Sequence, residues 1–233
     1  MLLWTLAAGN APADAETLDT LKQMSIDDLA NLEVSIVSGR PERLADTAAA
    51  VFVITAEDIR RSGATTLPEV LRMVPGLAVG RIDTGMWAIS ARGFQNQFAN
   101  KLLVLIDGRS VYTPLFSGVY WESQDIVLQD IERIEVVRGP GASTWGANAV
   151  NGVINILTNR AEDTQGIYLG AVAGDRQRQW VARQGGRLGE SGAYRLYAKL
   201  HQEELLPNAP GFQDNEASWQ GGRVGFRADL RDG

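Results

Sequence analysis

The chain has no cysteine and a single histidine, His201. Disulfide scaffolds, zinc–thiolate sites and thiol nucleophiles are excluded at once. A Ser-His-Asp site would have to be built on His201. Its neighbourhood, His201-Gln202-Glu203-Glu204, is not the HExxH of a zinc hydrolase. No apolar run approaches the about 20 residues that a spanning helix needs. The longest candidates, 48–54 and 102–106, have the length of buried strands. A basic excess is missing too: the net charge is −6, which argues against a nucleic-acid partner. With 45% hydrophobic and 21% charged residues among 233, a packed core is expected and general disorder is not.

Several local signals are present. Leu2 to Ala8 is a short apolar stretch followed by the A-x-A patterns Ala11-Pro12-Ala13 and Ala13-Asp14-Ala15, as at the end of a secretory signal peptide, although a basic start is absent. Ser25 is a candidate N-cap for a helix over 26–32, with Asp27 and Asp28 in its first turn. Thr55 with Asp58, and Thr66 with Glu69, predict two capped helix starts. Gly63 ends the first helix; Pro75-Gly76 ends the second. Extended segments are expected over 33–38, 50–54, 86–92, 102–106, 131–137 and 153–157, and Asp107-Gly108 between apolar runs predicts a hairpin. Strands mixed with short helices predict an α+β domain.

Past Asn159 the pattern changes. Tyr194, Leu196, Ala198 and Leu200 alternate with Arg195, Tyr197 and Lys199; Val224, Phe226, Ala228 and Leu230 alternate with Gly225, Arg227 and Asp229. Strands are expected over 167–173, 177–187, 194–200 and 224–230. Such alternation fits a transmembrane barrel with lipid outside and water inside. A soluble antiparallel sheet shows the same alternation, and the pattern alone does not separate them. Asp27-Asp28 and Glu203-Glu204 read as solvated acidic pairs.

The strongest signal lies in 89–158. Ile89-Ser90-Ala91-Arg92-Gly93-Phe94, the run LLVLIDGRSVYTPLF from 102, and DIERIEVVRGPGASTWGANAVNGVINILT from 130 occur in an order that resembles the plug domain of TonB-dependent outer-membrane receptors. The resemblance spans roughly residues 33–160. It departs from the family pattern in Trp145, where tyrosine is usual, and in Asn151, where glycine is frequent. The glycine-rich stretch 139–146 lacks the Gly-Lys-Ser/Thr of a phosphate loop and the spacing of a dinucleotide fold.

The resemblance implies an α+β plug domain, a small mixed β-sheet with short helices, followed by the first antiparallel strands of an incomplete transmembrane β-barrel. The expected division is 1–15 signal peptide, 16–45 periplasmic segment, 46–160 plug and 161–233 barrel strands. Plugged transporters have about 22 strands and about four are expected here, so the sequence reads as the N-terminal part of a longer receptor. The implied activity is energised uptake of a scarce nutrient, most often a ferric siderophore, sometimes haem, cobalamin or a glycan. No catalysis and no cofactor are expected. Implied partners are TonB with its inner-membrane motor, outer-membrane lipid, and a small metal-chelate or vitamin-like ligand.

The resemblance also suggests site residues. Glu33, Val34, Ser35, Ile36, Val37 and Ser38 form the candidate TonB box, the short segment that TonB would engage by strand addition. Its rival is 16–21. Arg92, Gly93 and Phe94, and Arg138, Gly139 and Pro140, match motifs whose arginines meet barrel-wall carboxylates. Ligand contact is expected from outward plug loops: Arg81, Asp83 and Trp87; Gln95, Asn96 and Gln97; Tyr112, Phe116, Tyr120 and Trp121. The alternatives are packing or solvent positions for those residues, and, for the whole chain, a signalling receptor, a soluble binding module or a gene fragment without a function.

Overall fold

A computed structural model describes residues 33–34, 36, 42–43, 50–83, 85–91, 101–115, 117–139, 141–146, 148–204 and 218–230. The candidate signal peptide, the Ser25 helix, the rival segment 16–21, Ser35, Val37, Ser38, Arg92 to Gln97, Phe116 and Pro140 lie outside the described residues.

Two short strands come first, β1 (Glu33–Val34) and β2 (Glu42–Arg43), paired antiparallel. They are followed by β3 (Val51–Thr55), helix α1 (Ala56–Ser62), helix α2 (Leu67–Leu71), β4 (Leu77–Arg81), β5 (Trp87–Ala91), β6 (Leu102–Ile106), β7 (Arg109–Ser110), β8 (Ile131–Val137), helix α3 (Ala142–Trp145) and β9 (Gly152–Thr158). The first expected capping box is complete: Thr55 Oγ1 accepts the Asp58 amide while the Asp58 carboxylate accepts the Thr55 amide. At the second, the Glu69 carboxylate accepts the Thr66 amide at 3.2 Å. Gly63 stops α1 at a φ of 69°. The Asp107-Gly108 turn has φ values of 48° and 76°, and two positive values there match the right-handed twist of the flanking strands.

The central sheet runs β3-β8-β9-β6-β7. Only β6 and β9 pair parallel within it. Both of its faces are covered, so β6 is an uninterrupted Leu-Leu-Val-Leu-Ile run rather than an alternating one. One face carries Ile54, Ile134, Val136, Ile154 and Ile156 against α1, α2, the β4–β5 hairpin and Trp121. The opposite face carries Leu103, Leu105, Val137 and Val153, covered by Ile36, Ala149 and Trp145.

A second sheet follows: β10 (Gly166–Ala173), β11 (Gln177–Leu188), β12 (Gly192–Glu204) and β13 (Ser218–Leu230), an antiparallel meander in chain order. Its strands exceed the expected bounds because glycines and polar residues at the ends carry no apolar alternation. Its outward face exposes Ile167, Leu169, Leu196, Leu200, Val224 and Phe226, the last two at 83% and 78%. Its inward face buries Gln179, Arg195 and Lys199. The sheet is open, and no helix among the described residues is long and apolar enough to cross a membrane.

The Glu203-Glu204 pair is not the solvated acidic face expected of it. Glu203 points inward and is ion-paired to Arg81 at 2.8 Å. Glycine is needed at the start of β9, where a Cβ on Gly152 would lie 2.6 Å from the Val137 carbonyl oxygen. Gly152→Ala should destabilise the domain by about 1–3 kcal/mol in urea melts. Gly139→Ala, with no atom within 4 Å of its added Cβ, should leave the midpoint unchanged.

Candidate functional site

The inward face of the second sheet meets the first domain along a seam of charged side chains. Strand alternation puts Arg183 on β11, Arg195, Lys199 and His201 on β12, and Arg227 on β13 toward the domain. A cation withdrawn from water needs a carboxylate or several acceptors. The domain supplies carboxylates from the loop before β8 and from the β6–β7 turn.

Asp125 lies in the loop before β8. It takes Lys199 on Oδ1, while His201 Nδ1 stands 3.1 Å from Oδ2 in ion-pair rather than linear hydrogen-bond geometry. Lys199 also donates to the Ile126 carbonyl at 3.3 Å, and its side chain is 1% exposed. Burial pushes the Asp125 carboxyl up, but the His201 contact and the Lys199 charge outweigh it and hold the carboxyl below its ordinary value. Five residues on, Asp130 takes Arg183 on Oδ1 and Arg195 Nε at 3.4 Å from Oδ2. Arg195 also donates to the Asn159 carbonyl at 3.0 Å, and the Arg183 guanidinium lies 5.1 Å over the Tyr168 ring.

The third acid is Asp107 of the β6–β7 turn. Its carboxylate accepts the amide and hydroxyl of Thr158, both at 2.8 Å. Arg227 bonds the same threonine hydroxyl at 2.7 Å and approaches Asp107 at 3.5 Å. Asp229 beside it accepts the Ala161 amide at 2.6 Å, which ties the connection between the two sheets to β13.

At the other end of the strands the polarity reverses. Arg81 at the tip of β4 meets Glu203, and Thr65 meets Gln177 at 2.8 Å. Trp219 packs flat on Gly85, where a Cβ would stand 3.0 Å from the ring, and Trp219 stacks on His201 at 6.1 Å. The crevice left between Trp87, Trp121, His201, Glu203 and Trp219 is about 40 Å³. That holds about one water and is far below the several hundred Å³ of a cofactor-sized site. Among the described residues no cluster of acids or histidines could hold a metal ion.

Residues 43–153 match the family model described as the TonB-dependent Receptor Plug Domain. The chain is 32% identical over 174 residues to the ferric enterobactin receptor PirA of Pseudomonas aeruginosa, across 68% of this chain and 23% of that receptor. It is 30% identical over 191 residues to the vitamin B12 transporter BtuB of Vibrio cholerae, across 81% of this chain and 30% of the transporter. The crystal structure of PirA superposes with a TM-score of 0.55 at 26% identity, over 80% of this chain and 33% of that one. The chain belongs to the TonB-dependent outer-membrane receptors. Its first domain is the plug, its second sheet is part of a barrel wall with one face suited to lipid, and its place is the outer membrane. The chain spans about a quarter to a third of the length of these relatives.

The plug–wall seam brings together only some of the residues singled out from the sequence. Arg81 reaches the wall. It also lies 5.4 Å over the Trp87 ring, which Arg72 approaches at 5.3 Å. Trp87 and Trp121 themselves are core residues rather than an outward aromatic surface. Asp83 closes the β4–β5 turn through Met86, and Tyr112 and Tyr120 are half-buried. Arg138 donates to the Pro75 carbonyl at 3.2 Å, beside the buried Gly139. Asp107, Asp125 and Asp130 were not legible as site residues. Arg195, Lys199 and Arg227 were the available signal, since cations at inward positions of such a strand imply acids opposite.

Asp130→Asn should strand two largely buried guanidinium groups. The seam should lose about 3–5 kcal/mol, read as earlier thermal release of the plug. The depressed Asp125 carboxyl makes its own contribution to the pH response of the seam. Its contribution is complete above the ordinary aspartate value of 3.8 and is lost as pH falls through its lower value in the folded chain. Acid titration of seam opening, followed by protease access, should show that loss, and Asp125→Asn should remove it.

Proposed function

We propose that this chain is the plug and first wall strands of a receptor that carries a small metal chelate or vitamin-like ligand across the outer membrane, with TonB supplying the work. One observation carries the reading: the plug is held to the polar face of the wall by charged and hydrogen-bonded pairs, not by a continuous apolar interface. Such an interface can open and reclose where water has access, because its groups are solvated when apart. Residues 46–160 act as the plug and 161–233 as wall. The names of the relatives, a ferric enterobactin receptor and a vitamin B12 transporter, support the ligand class.

Orientation follows from the connections. Outer-membrane barrels have short periplasmic turns and longer external loops. The β11–β12 turn occupies only 189–191, whereas 205–217 separates β12 from β13. The end bearing Arg81, His201, Glu203 and Trp219 then faces outward, and the end bearing Asp107, Asp229 and Ala161 faces the periplasm. Ligand would be met at the outer end by Arg81, Asp83, Tyr112, Tyr120 and the segments holding Gln95, Asn96, Gln97 and Phe116. Trp87 and Trp121 would support that surface from beneath. Arg92 and Arg138 are read as contacts to wall strands beyond those described. Residues 33–38 are read as the segment TonB engages. The chemistry is transport: ligand affinity must differ between the docked and engaged states for binding to shift one to the other.

In the native host, uptake of labelled ferric catecholates and cobalamin should identify one accumulated ligand. Accumulation should fall steeply, to near the background of cells lacking the receptor, when tonB is deleted or residues 33–38 are removed. Equal accumulation with and without TonB would end this reading.

A further inference from the structure

We propose that Glu203 of the wall is a placeholder for ligand, and that an anionic group of the incoming ligand takes its place on the Arg81 guanidinium. The observation behind this is a reversed ion pair. Asp125 and Asp130 bring plug acids to wall cations. At Arg81 the plug brings the cation and the wall the acid, with Nη2 2.8 Å from Glu203 Oε1. The reversal falls at the end of the strands read as outer, where Arg81 is read as a ligand residue. The inference rests on that reading and adds the chemical class of the ligand: an anion with two adjacent acceptor oxygens.

The geometry lets one partner change while the guanidinium stays. Arg81 is the last residue of β4 and pairs across the hairpin with Trp87, the first of β5. Its guanidinium lies 5.4 Å over the Trp87 ring, and its Nε donates to the Asp83 carbonyl at 3.2 Å. Both contacts come from the hairpin itself, so loss of Glu203 leaves them in place. On the wall, Glu203 and Trp219 are register partners of β12 and β13. One rung of the hairpin therefore meets one rung of the wall. Trp219 lies flat on Gly85 of the hairpin turn, where a Cβ would stand 3.0 Å from the ring. That contact carries no charge, survives the exchange and keeps the hairpin at the wall.

Exposure decides which pair of the seam can be exchanged. The Arg81 and Glu203 side chains are 31% and 16% exposed, against 1% for Lys199. A pair open to water is weakly held. Breaking the Lys199–Asp125 pair would instead strand a buried charge. A guanidinium fork donates to paired oxygens, as in a carboxylate or a catecholate. A ligand without such a group cannot replace Glu203.

Equilibrium binding to the intact receptor tests this with two probes: a ferric tris-catecholate, which is anionic, and cyanocobalamin, which carries no net charge. Glu203→Gln should tighten the catecholate by about 2- to 5-fold, the effect of removing a competing exposed ion pair, and leave cyanocobalamin unchanged. Arg81→Gln should weaken the catecholate by about tenfold or more, and adding Glu203→Gln to it should change nothing further. A merely structural Glu203 would weaken both probes together. Unchanged or weaker catecholate binding by Glu203→Gln overturns the exchange. So does equal tightening of cyanocobalamin, undiminished binding by Arg81→Gln, or failure of the unaltered receptor to bind the catecholate. In that last case TonB-dependent uptake of another ligand would leave the transport reading standing. The expected binding pattern together with uptake indifferent to TonB would keep the exchange and end the transport reading.

Discussion

A lysine with 1% of its side chain exposed, on a strand whose other face is greasy, must have a carboxylate opposite it. Lys199 and its neighbours Arg183, Arg195 and Arg227 place that demand along one face of the wall; Asp125 and Asp130 answer it from the plug, and Arg227 is shared between Asp107 of the plug and Asp229 of its own strand. An unanswered charge of this kind costs several kcal/mol, whereas the completed pair returns little more than its own desolvation. The seam therefore acts mainly as register. It penalises every placement of the plug in which an acid misses its base, and adds only modestly to net stability. The uneven spacing of the three acids, two in one loop and one in a turn, leaves a single matching placement. The direction also matters. On these strands the wall supplies most of the bases and the plug most of the acids; Asp229 of β13 pairs with Arg227 on its own strand, and at the outer end Arg81 and Glu203 exchange roles.

That arrangement depends on a plug sheet stiff enough to present loops at fixed distances. Stiffness comes from burial on both faces. Ile134 and Val136 face one core while Glu135 and Val137 face the other, so β8 is a wall between two packed layers. The acidic loops are anchored directly to this sheet. Asp130 ends one residue before β8, and Asp107 caps β6 while its carboxylate fastens Thr158 at the end of β9. A shift of β8 or β9 would move two of the three acids together.

Local chemistry was readable from the sequence wherever one residue's conformation or one short pattern decides the outcome. The capping of the two helix starts, the positive-φ turn at Asp107-Gly108, the apolar run of β6 and the two-faced alternation of β12 and β13 are of that kind. Tertiary pairing was not readable. Nothing in the order of residues says that Asp125 lies against position 199, because the partners come from loops whose geometry is set by the whole sheet. Glu203 misled for the same reason: two adjacent acids look solvated until Arg81 is brought to one of them. Trp87 and Trp121 show the opposite case. A tryptophan near a turn reads as a contact surface, but both are buried, and such area is well satisfied by burial when a hairpin folds back over the core. The strand β2 has only two residues and no periodicity to detect.

The two holds on the plug differ in kind and share no described residue. Ile36 is kept by Glu135, which accepts its amide, by Trp145, which donates to its carbonyl, and by a small apolar patch; the wall is kept by Asp107, Asp125 and Asp130. Groups that share no partner and lie in separate contacts usually contribute independently. Separation of Ile36 from Glu135 and Trp145 would therefore uncover no member of the seam, and the seam can weaken without exposing Glu135. Coupling between them has to pass through the sheet itself. Its shortest covalent route is β8, which carries Glu135 in its middle and continues from Asp130 at its start. A displacement at the wall that moved Asp130 would travel along five residues of a doubly buried strand before it reached the carboxylate that holds Ile36.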